Sequence, residues 1–266
     1  MRLFDSHAHI DDNVYESDFN QMLDRAYDDG IEGIMVAGVT PETIIKALEI
    51  AKQPNKDTQI FISVGMHPHD AQHCSDKIIE DYKLIADQYP SIVKAWGETG
   101  LDFNRMHSPR EIQEKWFIKQ IEAADELDLA LIFHERDSEG RFLQILESFK
   151  GKDRRGVVHC FSGTKEEMFC YLDLGYYIGI TGILTLQQRG EALRELALLI
   201  PDDRIVIETD APYLTPAPMK NKIRRNEPSF VKYVFSKLAE IKGGDAETLA
   251  ERLWKNTCSL YNINLR

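Results

Sequence analysis

The chain contains no apolar run approaching the roughly 18 residues that a membrane-spanning helix requires, and its opening MRLFDSHAHIDDN lacks the apolar stretch of a secretory leader. No membrane role is expected. The four cysteines, Cys74, Cys160, Cys170 and Cys258, form no CxxC pair and no knuckle-like spacing, which excludes a zinc ribbon or a disulfide framework and suits a reduced, cytoplasmic setting. Positive charge is scarce as well: 32 Lys and Arg stand against 44 Asp and Glu, a net −12, so phosphates would meet a repulsive mean field. A nucleic-acid substrate therefore needs positive charge supplied locally, by bound cations or by the basic segment Lys220, Lys222, Arg224 and Arg225. There is no internal repeat, low-complexity tract, linker or evident obligate protein partner, and residues 1–266 read as a single domain.

What is present is an alternation. Short runs rich in Val, Ile and Phe lie near residues 3–7, 33–37, 59–65, 92–97, 130–134, 156–160, 176–181 and 205–209, each separated by enough chain for a crossover helix. Continuous apolar runs suit parallel strands buried on both faces. Eight of them alternating with helices predict an α/β fold, a (β/α)8 TIM barrel whose active site opens at the C-terminal ends of the strands. Helix starts are marked by Thr40-Pro41, by Thr164 with Glu167, by Asp245 after the Gly243-Gly244 break, and by Ser108-Pro109-Arg110-Glu111, where Ser108 is expected to cap. The Pro-rich stretch from Pro212 to Pro218 reads as a long functional loop after the eighth strand.

The ends of these strands carry the chemistry. His7 and His9 form an HxH pair whose i, i+2 spacing points both imidazoles the same way. Glu98 follows strand four, His134 strand five, His159 strand six and Asp210 strand eight. Four histidines and two carboxylates at one barrel rim are nitrogen and oxygen donors suited to zinc, manganese or nickel. Glu98, midway around the ring, is the natural bridge between two ions, and Asp210 is placed to act as general base. Cys160 directly follows His159 and should point away from the site, leaving no cysteine nucleophile.

These residues sit in an ordered series of motifs: FDSHAHI at 4–10, GMHPHD at 65–70, GETGLDFNR at 97–105, HERDS at 134–138, HCFSGT at 159–164, GYYIGITG at 175–182, ETDAPYL at 208–214 and RRNEP at 224–228. The series spans nearly the whole chain and resembles the TatD-like deoxyribonuclease family of the amidohydrolase superfamily, closest to its TatD branch. This chain keeps the HxH pair that some members of that branch lack, which implies a more complete first metal site. The resemblance implies two divalent ions, Mg, Mn or Zn, with His7, His9, Glu98 and Asp210 around the first and Glu98, His134 and His159 around the second. It implies phosphate contacts at His67, Arg136 and Arg225, and a 3′→5′ exonuclease acting on single-stranded DNA or RNA ends. Glu135, inside the HERD motif, adds negative charge near that site. The same metal centre would also serve an ester or amide hydrolase such as a D-aminoacyl-tRNA deacylase or a lactonase.

Overall fold

The structure is a computed structural model that describes residues 1–53, 58–223 and 225–264. Eight strands, β1 (Leu3–Ala8), β2 (Ile31–Val36), β3 (Gln59–Val64), β4 (Val93–Asp102), β5 (Ala130–Arg136), β6 (Gly156–Val158), β7 (Tyr177–Ile180) and β8 (Ile205–Ile207), pair in chain order, each parallel to the next. Beyond β8 the backbone returns to β1: Ala8 bridges Ala211, His9 N–H donates to Ala211 O at 2.7 Å, and Asp210 N–H donates to His7 O at 2.9 Å. The barrel expected from the sequence is therefore present, with its seam between the first and last strands.

The helices are α1 (Phe19–Asp28), α2 (Pro41–Lys52), α3 (Asp76–Gln88), α4 (Arg110–Glu126), α5 (Arg141–Ser148), α6 (Lys165–Asp173), α7 (Glu191–Ala197), the single turn α8 (Ala217–Lys220), α9 (Val231–Lys242) and α10 (Ala246–Leu260). Three of the expected starts are built as read: Thr40 and Thr164 close capping boxes with Thr43 and Glu167, and the Asp245 carboxylate accepts Thr248 N–H. Ser108 is a correction. The cap of α4 is Pro109, without a side-chain bond, because the Ser108 hydroxyl is committed elsewhere: it donates to His69 O at 2.8 Å and accepts Gln72 N–H at 3.0 Å. Ser108 thus ties the β3 loop to the start of α4 and does not cap that helix.

Alternation along the strands sorts the core into two layers. One set, including Leu131, Phe133, Ile178 and Ile207, packs outward against the helices, where Phe117, Phe133 and Phe142 meet ring to ring. The other set, including Phe4, Met35, Phe61 and Ile132, fills the interior and is plugged by Trp254, Leu260 and Tyr261. Each such side chain contributes about 1.5–3 kcal/mol by leaving water. With one end filled, the polar side chains gather at the other, where the strands end.

Candidate metal centre

Two local irregularities aim the site. Between Asp5 and Ala8, β1 advances three residues while its partner β2 advances two, Ile34 to Val36. Between Trp96 and Thr99, β4 advances three while β5 advances two, Leu131 to Phe133. Each is one extra residue in the ladder, which bends a strand and re-aims a side chain. The extra residues fall at Ser6-His7 and at Gly97-Glu98. Glycine is required beside Glu98: Gly97 and Gly100 adopt φ of 148° and 149°, and a Cβ at Gly100 would stand 1.9 Å from His134 O.

The result is a convergence around Glu98, which is 3 % exposed. Its Oε2 lies 3.4 Å from His7 Nε2 and 3.9 Å from His9 Nε2, and its Oε1 lies 2.6 Å from His134 Nδ1 and 3.1 Å from His159 Nε2. Asp210 Oδ1 completes the first group, 3.7 Å from His7 Nε2 and 3.5 Å from His9 Nε2. The ligand atoms of His7, His9 and Glu98 lie within 4.8 Å of one another, as do those of Glu98, His134 and His159. All six sequence-predicted donors thus meet at the C-terminal strand ends, and the two oxygens of Glu98 face two different sets of imidazoles. This mixed nitrogen and oxygen set, rich in imidazole, fits divalent transition metals better than magnesium, which favours all-oxygen ligands.

Burial and mutual contact shift the ionisation of this cluster in opposite directions. Burial alone would raise Glu98, yet the charge of His159 and the hydrogen bonds of His134 and His159 hold it well below the usual carboxylate range. Burial opposes charging of His9, but its bond to Asp210 outweighs that and lifts it to about 9. His159 is likewise raised, by Glu98 and Glu208, while burial and the neighbouring His159 keep His7 low. Protons on the raised imidazoles must leave when a metal binds.

His67 differs in kind. Its Nδ1 accepts His69 N–H at 3.1 Å, and burial pushes its pKa down to about 4, so the neutral ring carries its proton on Nε2. That N–H faces Glu98 Oε1 at 3.3 Å. A donor there can meet a phosphate oxygen, while the ligand atoms of His67, His69 and His134 also lie within 4.8 Å of one another.

Sequence reasoning missed the carboxylates behind the histidines. Asp102, 1 % exposed, receives His69 Nε2 at 2.7 Å and His134 Nε2 at 3.3 Å, with Asn104 and Arg105 N–H on its other oxygen. Glu208, fully buried, lies 3.2 Å from His159 Nδ1. Asp5 accepts Thr209 N–H and hydroxyl and is pushed up to about 8 by burial. Asp102 and Glu208 face imidazole nitrogens, where a carboxylate fixes ring orientation and tautomer, whereas Asp5 holds the backbone of His7 and Thr209 and the Thr209 hydroxyl. The one usable signal was polar residues two or four positions from a ligand inside otherwise apolar runs.

A cleft of about 1120 Å³ opens over the centre, with Arg136 on its wall together with Arg105, Arg189 and His107. Arg225 is elsewhere. Its guanidinium grips Asp18 at 2.6 and 2.8 Å and lies over the Tyr15 ring, and neither it nor Lys220 nor Lys222 lines the cleft; Arg224 falls outside the described residues. Glu135 is turned aside, accepting Ser138 N–H and hydroxyl. The Cys160 thiol sits 3.9 Å from the Thr181 hydroxyl, and burial pushes it up to about 12, so it offers no thiolate.

The chain matches the family of TatD related DNases over residues 4–262. It is 36% identical over 266 residues, 99% of this chain and 100% of the relative, to the 3′-5′ ssDNA/RNA exonuclease TatD of Rahnella sp. (strain Y9602). Over 263 residues it is also 36% identical to the enzyme of that name from Escherichia coli (strain K12), covering 98% of this chain and 99% of the relative. In structure it resembles YJJV, a TatD homologue from Escherichia coli K12, with a TM-score of 0.89 at 28% identity, and a TatD family hydrolase from Entamoeba histolytica, with a TM-score of 0.89 at 26% identity; both comparisons cover 99% of each chain. Agreement that runs almost end to end, in sequence and in backbone, establishes that this chain belongs to the TatD-related DNase family.

Proposed function

We propose that this chain is a metal-dependent 3′→5′ exonuclease that hydrolyses phosphodiester bonds at the ends of single-stranded DNA or RNA, using two divalent cations drawn from Mg, Mn or Zn. The observation that carries the reading is Glu98, whose Oε2 serves His7 and His9 while its Oε1 serves His134 and His159. The polarity and substrate follow the names of the relatives. When bound, the cations supply Lewis-acid polarisation of the phosphoryl group and neutralise charge on the departing oxygen.

The chain's own groups do the rest. Burial raises the Asp210 carboxyl, but the His9 bond and the nearby imidazoles outweigh this and keep it ionised, ready to take the proton of an attacking water. His67 Nε2–H donates to a non-bridging phosphate oxygen. Arg136 and its neighbour Arg105 hold the adjoining phosphate with planar guanidinium forks.

The test is incubation of metal-free protein with end-labelled linear single-stranded DNA, RNA and D-aminoacyl-tRNA under magnesium, manganese and zinc, with a chelator control and circular single-stranded DNA of equal length. Stepwise shortening of the linear strands, with the circle intact, is expected. Rapid nicking of the circle would make the enzyme an endonuclease, and hydrolysis of the aminoacyl ester alone would replace phosphodiester chemistry altogether.

A further inference from the structure

Among the exposed large apolar side chains of the described residues, Tyr213 alone lines the cleft over the donors. Its residue is 55% exposed, and its ring stands edge-on to His9, centroids 5.9 Å apart at 68°. It is therefore one ring removed from Glu98 and Asp210. The exposure does not come from a loose loop. Tyr213 N–H donates to Asp210 O at 2.8 Å, and its carbonyl accepts the Asn226 side-chain amide at 2.6 Å. Asn226 is fully buried and holds Thr209 O at 2.9 Å with the same amide. Behind the loop, Gly182 packs so closely that a Cβ would meet Leu214 O at 2.4 Å. The backbone is fixed from both sides while the residue stays 55% exposed in the cleft, its ring touching His9 and otherwise open to a ligand.

We propose that Tyr213 is the platform on which the unpaired base of the terminal nucleotide stacks, beside the scissile phosphate; this deepens the exonuclease reading and rests on it. A flat, rigid aromatic face accepts any nucleobase, because every base has a π-face. It accepts only a base freed from its partner, since a paired terminal base is tied to the opposite strand and would have to melt to reach a ring this close to the metal donors. Tyr213 is thus a specificity residue that selects single-stranded ends by stacking and not by sequence. Its neighbour Leu214, also on the cleft wall, extends the apolar surface that the base covers.

The experiment compares KM and kcat for removal of the last nucleotide from two 5′-labelled single strands, one ending in a normal nucleotide and one in an abasic nucleotide, with wild type, Tyr213→Ala and Tyr213→Phe. Base stacking on an aromatic side chain amounts to about 5- to 150-fold in affinity. Wild type is expected to favour the base-bearing end by a factor in that range through KM. In Tyr213→Ala that preference collapses toward one, and Tyr213→Phe restores most of it, while metal content per chain stays the same in all three. A terminal 2-aminopurine should be quenched on binding to wild type and not to Tyr213→Ala. If Tyr213→Ala keeps the full preference, or loses activity equally on both ends, the ring does not hold a base and the proposal falls. If wild type shortens neither strand, the exonuclease reading fails and takes this inference with it, an outcome visible before any variant is tested.

Discussion

At the scale of single residues, the donors depend on what stands behind them. Asp102 receives both His69 Nε2 and His134 Nε2, which leaves His134 Nδ1 turned to Glu98. Asp102→Asn keeps the volume but allows the amide to face His134 with its NH2, so the ring loses its acceptor. Loss of such a carboxylate behind a metal-ligating histidine lowers affinity about 10- to 100-fold. Titration of metal-free protein with manganese should show that drop, with the far-ultraviolet spectrum unchanged; an unaltered affinity would leave Asp102 a purely structural acceptor. The convergence of these six side chains was legible in the sequence because each is a polar residue ending an apolar run. Asp102 and Glu208 were not, because the rings they meet come from other strands and loops, and no local spacing records which buried carboxylate will meet which ring. Arg225 illustrates the opposite difficulty: a cation in a basic segment reads as a phosphate contact, while the fold hands it Asp18, more than 200 positions away.

At the scale of elements, the ion pairs around Asp18 join the start of α1 to the segment before α9. Arg225 and Arg25 both bond Asp18, and Arg25 also grips Glu227 at 2.7 Å and 2.9 Å. The hydrogen bonds from Arg225 and Arg25 hold the Asp18 carboxyl below the usual carboxylate range. A group depressed in the fold stabilises it at pH above its unfolded value, and that contribution is lost as pH falls through the folded one. Asp18→Asn is therefore expected to cost about 1 kcal/mol at pH 7, since the pair is part-exposed and screened. In a chain of this size that is a fall in Tm of about 2 °C. The gap should hold from pH 7 to 5 and shrink as pH drops below about 4. A gap that widens in acid would contradict it. Strand positions were readable because parallel strands buried on both faces are continuous apolar runs. The extra residues at Ser6-His7 and Gly97-Glu98 were not: a bulge is a mismatch between two strands, and one strand's sequence carries only half of it. The reach of β4 to Asp102 was hidden for the same reason, since its second half is the polar, glycine-containing GETGLD.

At the scale of the whole molecule, a net charge of −12 has to be overcome within one cleft. Arg105, Arg136 and Arg189 line it, and their side chains form no ion pair among the described residues. Each that meets a phosphate should contribute about −0.7 to the slope of log affinity against log salt for a single strand. With cleavage suppressed by withholding an active metal, changing Arg105 and Arg136 to Ala is expected to flatten the slope by about 1.4 units. Arg225→Ala should leave it unchanged, because Asp18 already compensates that charge. Equal slopes for all variants would move the strand away from this wall. The barrel's seam has a consequence of its own. The hoop closes through backbone bonds made by His7, His9, Asp210 and Ala211, and three of those residues are among the groups that could hold a cation. A cation gripped from both sides of that join is a clasp on the hoop, tying the first strand to the last. Stripping it should therefore unlatch the barrel: at 100 times its dissociation constant the cation contributes about 2.7 kcal/mol. Chelation should lower Tm accordingly and speed hydrogen exchange at the His9 and Asp210 amides before any other strand, whereas uniform exchange would mean that the hoop stays shut without its clasp.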